Sequence, residues 1–162
     1  MAKRVVITGL GAITPVGNTV NASWSSVLNG ISGAGKITHY DASGDKVQIA
    51  AEVKEFDPSA ILGRKESRRM DRFSQLALTA VLEAKEQAKL EITPKNENRI
   101  GAIIGSGLGG ISTQQSQWNV LETKGPSKIS PFFIPMLMNN AVSGNVAIAL
   151  GIKGPNMSIA TA

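Results

Sequence analysis

The 162-residue chain contains no cysteine and a single histidine. The first absence rules out a disulfide framework or a cysteine-ligated metal within these residues, and the second rules out a histidine-rich metal centre. Aromatic residues are sparse, at four Phe, two Trp and one Tyr, so the core must be built from aliphatic side chains. No apolar run approaches the roughly 20 residues that cross a bilayer. Only Val5, Val6 and Ile7 are consecutive apolar residues before Thr8 and Gly9 interrupt the start, too few for a secretory signal. A cytoplasmic location without a membrane partner is therefore expected. The formal net charge of +5 is modest and gives no reason to expect nucleic acid; where the cations lie matters more than their sum.

A hydrophobic content of 42% with 17 Gly suits closely packed helices and strands, and the order of elements indicates a layered α/β fold. Val5 to Thr8 reads as a buried first strand closing at Gly9-Leu10-Gly11, and Val20 to Leu28 as a short helix ended by Asn29-Gly30. Residues 31–45 show no period and read as an irregular connection, with a strand from Gln48 to Val53. Met70, Phe73, Leu76, Ala77, Ala80, Val81, Ala84 and Ala88 recur at three-and-four spacing, the apolar face of a long helix. A second buried strand, Arg99 to Ile104, leads into Gly105-Ser106-Gly107-Leu108-Gly109-Gly110 and a polar helix from Ser112 to Leu121. Pro135 is placed to begin a helix from Met136 to Leu150, apolar or small almost all round, and Met157 to Ile159 is a last strand.

Several motifs admit two readings. Gly105 to Gly110 satisfies the G-x-G-x-x-G pattern between a strand and a helix, as a dinucleotide-binding turn does. That turn requires a second parallel strand ending in an acidic residue about 20 positions on, whereas Glu122-Thr123-Lys124-Gly125-Pro126 is a polar turn with no strand before it. Arg64, Lys65, Arg68, Arg69 and Arg72 place five cations within nine residues, either a solvated end of the long helix or a surface for an acidic partner. Phe132 and Phe133 read as core aromatics. His39, beside Tyr40 and Asp41, reads as a surface residue.

The blocks Arg4 to Gly11 with Pro15-Val16-Gly17, Arg64 to Asp71, Gly105 to Gly110, Lys128 to Pro135, and Gly154 to Ala162 occur in this order along the chain. Together they resemble the β-ketoacyl-acyl carrier protein synthases, condensing enzymes of fatty-acid synthesis with a thiolase-like fold. The resemblance covers the whole chain and implies the first of two layered α/β halves, residues 1–162, with the second half absent. Pro155 to Ala162 is similar to the segment leading into the active-site cysteine of the family, so the nucleophile is expected immediately after Ala162, and no catalytic residue lies in the chain itself. The family's two catalytic histidines belong to its later half, and His39 matches neither.

The resemblance also implies roles for residues that are present. Gly107 and Leu108 lie where a glycine-rich loop walls the active site, and the residue at Leu108 limits the acyl tunnel; its branched side chain is closer to type II than to type I enzymes. Phe133, Ile134, Leu137 and Met138 correspond to positions bordering the acyl pocket across a two-fold homodimer interface. Lys65, Arg68, Arg69 and Lys128 fall where acyl carrier protein, bearing acyl or malonyl groups, docks. The implied activity is decarboxylative condensation of malonyl-carrier thioester with an enzyme-bound acyl group, with no cofactor and no metal. Two alternatives stand beside it: a non-catalytic ketosynthase-like partner that shapes chain length, and a dinucleotide-binding module.

Overall fold

Thr19 shows how the local sequence starts its elements. Its backbone is extended (φ −148°, ψ 162°) and its hydroxyl accepts the Ala22 N–H at 3.1 Å, which opens helix α1, Val20–Leu28. The computed structural model describes residues 3–161, so Met1, Ala2 and Ala162, with the expectation attached to Ala162, lie outside the described residues. Strands β1 (Ala34–Lys36) and β2 (Ile49–Ala51) follow, then helices α2 (Pro58–Leu62), α3 (Arg64–Ser67) and α4 (Arg72–Gln87). Strand β3 (Ala102–Gly105), helices α5 (Ile111–Lys124), α6 (Phe133–Leu137) and α7 (Ala141–Leu150), and strand β4 (Asn156–Ile159) complete the order.

The chain divides into two units, residues 1–57 with 79–88, and residues 58–78 with 89–162. In the first, β1 and β2 pair antiparallel, Gly35 opposite Ala50. The expected strand at Val5–Thr8 is not formed. That stretch has no ladder partner among the described residues and leaves Val5 92% exposed. It is held instead through glycine contacts and side chains of α4. Gly9 and Gly11 lie so close to the α4 backbone that an added Cβ would come within 2.2 Å of the Ala84 carbonyl and 1.7 Å of the Ala80 carbonyl. Gln87 takes the Leu10 N–H at 2.5 Å, and Glu83 takes those of Ala12 and Val20, both at 2.9 Å. Strand β1 occupies a stretch that reads as irregular, because cross-strand pairing with β2 supplies the order that its own glycine and polar residues do not.

In the second unit, β3 and β4 are parallel, with Ala102 opposite Asn156 and Gly105 opposite Ile159. The connection between them passes through α5, α6 and α7, and the buried side chains of Val142, Val146, Ala102 and Ile152 belong to this core. β3 begins later than expected because Glu97–Arg99 forms a 3-10 turn. The helix expected from Met136 to Leu150 is two helices. Met138 is extended (φ −60°, ψ 134°), and residues 138–140 separate α6 from α7. Pro135 is the third residue of α6, where its missing N–H has no intrahelical partner to lose. Phe132 and Phe133 are not core residues: Phe133 is half-buried and Phe132 is exposed.

Candidate active site and docking surface

The carboxyl ends of β3 and β4 meet the break between α6 and α7, the place in an open parallel sheet where ligands bind. Backbone approach makes this possible. Gly109 has φ +69°, and a Cβ at Gly110 would fall 2.3 Å from the Met136 carbonyl. With no side chains in the way, the Gly110 N–H reaches the Leu137 carbonyl at 3.0 Å. The Ser106 N–H donates to the Ile159 carbonyl (3.0 Å), and the Ser106 hydroxyl accepts the Gly109 N–H (3.1 Å). Asn139 donates its side-chain N–H to the Ser106 carbonyl at 2.9 Å. The Ser158 hydroxyl lies 3.0 Å from the Ile104 carbonyl and 3.1 Å from that of Asn139. Strand end, glycine loop and helix break are thus tied together by polar contacts.

Of the residues expected to line an acyl pocket, Gly107 and Leu108 sit in the loop, and Leu108 is 73% exposed. Ile134 and Met138 are exposed and Phe133 and Leu137 half-buried on the segment that the loop packs against. The arrangement offers backbone dipoles, hydroxyls and apolar walls. It contains no cysteine and no histidine.

Lys65, Arg68 and Arg69 are exposed, and so is Lys128 in the 3-10 turn Pro126–Lys128. Arg64 and Lys65 of the basic run lie in α3 and Arg68 and Arg69 in the turn after it, so only Arg72 stands at the start of the long helix α4. The Arg69 guanidinium stands over the Phe132 ring, 4.9 Å from its centroid, so the basic turn abuts the N-terminal end of α6.

Sequence reasoning missed Asp71. Its carboxylate is buried (5% exposed) and accepts the Thr113 N–H at 2.8 Å and the Thr113 hydroxyl at 2.5 Å, while its other oxygen takes the Phe73 N–H at 3.3 Å. The Asp71 carbonyl accepts the Gln75 N–H at 3.1 Å, the first bond of α4. An aspartate directly before a helical period is a helix-cap pattern visible in the sequence, but its second partner on α5 is not.

His39 is exposed, its Nε2 3.9 Å from Glu52. The Thr38 hydroxyl, followed by the Thr38 N–H and then His39, holds the Glu52 carboxyl below its ordinary range. The dinucleotide pattern lacks its acidic residue: β4 is followed by Ala160 and Thr161.

Residues 2–162 match the family described as Beta-ketoacyl synthase, N-terminal domain. The chain belongs to this family. It is 49% identical over 160 residues to a 3-oxoacyl-[acyl-carrier-protein] synthase 2 of Synechocystis sp., covering 99% of this chain and 38% of the relative. It is 44% identical to the enzyme of the same name from Vibrio harveyi, covering 99% and 39%. The chain therefore spans about two fifths of the length of these curated relatives. Among solved structures, the ishigamide ketosynthase/chain length factor superposes with a TM-score of 0.83 at 25% identity, covering 99% of this chain and 40% of that one. A ketosynthase bound to a hexaketide, in complex with its type II polyketide synthase acyl-carrier protein, superposes with a TM-score of 0.77 at 25% identity, covering 98% and 41%. The architecture is accordingly the thiolase-like α/β fold of ketosynthases.

Proposed function

We propose that the chain is the N-terminal half of a condensing enzyme that extends a carrier-bound acyl chain by two carbons. The observation that carries this reading is the junction of glycine loop, helix break and strand end at the carboxyl edge of β3 and β4, in a chain of this family. In the reaction, a cysteine thiolate supplied from outside these residues attacks the acyl-carrier thioester; the carrier thiol leaves and an acyl-enzyme forms. A malonyl-carrier thioester then loses carbon dioxide, and the electron pair released forms the new carbon–carbon bond to the acyl carbonyl. The carbon–sulfur bond to the enzyme breaks and the thiolate is regenerated. Two histidines of the other half assist decarboxylation. Gly107 and Leu108 form part of the acyl pocket, and Phe133, Ile134, Leu137 and Met138 border it across a homodimer interface. Lys65, Arg68, Arg69 and Lys128 steer the acidic carrier protein.

Exposed apolar side chains support a larger assembly. Val5, Ile7, Ile148 and the β-strand residue Ile103 are all more than 60% exposed, and a parallel strand is ordinarily covered on both faces. Among the described residues, no helix is long and apolar enough to cross a membrane, in keeping with a cytoplasmic enzyme.

The similarity to a ketosynthase/chain length factor favours one second reading, a non-catalytic partner that shapes chain length. Mass spectrometry of the full-length protein after incubation with an acyl-carrier thioester separates the two. A covalent acyl adduct, followed by 3-oxoacyl product and one carbon dioxide per turnover on adding malonyl-carrier, is the expected result. A protein that binds carrier but never acquires the adduct is the partner; one that does neither overturns both readings.

A further inference from the structure

Asp71 is the one buried carboxylate among the described residues, and burying a charge is costly unless hydrogen bonds compensate it. Three donors do so here, from Thr113 and Phe73. Capping α4 requires only the bond to Phe73, so the two bonds to Thr113 do something else. Thr113 is the third residue of α5, which begins directly after Gly110. Asp71 therefore ties the end of the basic turn to the residues that follow the glycine loop. Gln75 stiffens the same turn, its side-chain N–H groups donating to the carbonyls of Ser67 (2.8 Å) and Met70 (3.1 Å). A second tie runs from Arg69 to Phe132, at the head of the helix whose Leu137 carbonyl holds the Gly110 N–H. The turn bearing Arg68 and Arg69 is thus fastened to both flanks of the loop.

We propose that Asp71 is a positioning residue, which through Thr113 fixes the carrier-docking turn in register with the glycine loop of the acyl pocket. This rests on the docking role given to Arg68 and Arg69 above. A docked carrier can insert its tethered acyl group only if the distance from docking surface to pocket is set, and the clamp sets it. A substrate without a carrier protein has no need of that register, which separates positioning from mere support of the fold.

The test uses the full-length enzyme with two substrates, an acyl-carrier protein and a short soluble acyl thioester. Thr113→Val, which removes the hydroxyl donor while keeping the N–H, and Asp71→Asn should each raise KM for the carrier-borne substrate about tenfold and leave turnover of the soluble thioester unchanged. Thr113→Ser should restore the original KM. Equal losses with both substrates, or no change with either, overturn the clamp; if Asp71→Asn does not fold, Thr113→Val decides alone. Arg68→Glu is the control for the docking reading. If it leaves carrier KM unchanged, docking lies elsewhere and the clamp falls with it. If Arg68→Glu weakens carrier use and Thr113→Val does not, only the clamp is overturned.

Discussion

Val5–Gly11 and Ala102–Gly110 both run from aliphatic residues into glycines, and the chain treats them differently. The second forms a strand because β4 supplies a parallel ladder from Ala102 to Gly105. The first forms no ladder, leaving Val5 and Ile7 exposed, and takes its order from α4. Apolar β-branched residues make a strand possible, and a partner with free N–H and C=O groups makes it real. Glycines serve both stretches in the same way, by letting backbone meet backbone: Gly9 and Gly11 against α4, Gly109 and Gly110 against α6.

The largest effect that would break this comparison is at Gly11. A side chain there meets the Ala80 carbonyl at 1.7 Å, so Gly11→Val should cost about 3 kcal/mol, read as a lowered Tm of the full-length protein. Gly107→Ala, with open space around the added carbon, should leave Tm nearly unchanged. Tolerance of valine at Gly11 would show that the first stretch is not packed on α4. Asp71→Ala comes next, at about 2–3 kcal/mol, because the Thr113 hydroxyl and N–H lose a buried acceptor. Glu83→Ala should cost about 1–2 kcal/mol and speed amide hydrogen exchange at Ala12 and Val20; unaltered exchange would mean that something other than Glu83 protects these two amides just beyond the first stretch.

The smallest effect concerns the β1–β2 hairpin. A carboxyl whose pKa is lowered in the folded state contributes stability above its unfolded value, lost as pH falls through the folded one. For Glu52, held down chiefly by Thr38, the Thr38 and His39 amide resonances should therefore shift as pH falls below the ordinary glutamate value of 4.5. Glu52→Gln should abolish that shift, and its persistence would assign it to another group.

Helices were legible where their periodicity and caps are local. The ends of α1 agree with the sequence reading, and α4 differs from it by a turn or less. The break between α6 and α7 was not legible, since Met138-Asn139-Asn140 interrupts an apolar run through partners on other elements, Ser106 and Ser158. The glycine loop could be placed from its strand and helix, whereas its seat on α6 depends on carbonyls that no spacing reveals. The basic run was readable as charge. Asp71 was not readable as a clamp, because Thr113 lies 42 residues away.

Ser158 stands within reach of two carbonyls, yet a hydroxyl carries a single proton. At any instant it can satisfy either the strand at Ile104 or the helix break at Asn139, so the joint has two settings of nearly equal length. Replacing Ser158 with alanine would remove one hydrogen bond's worth of stability, although two contacts disappear.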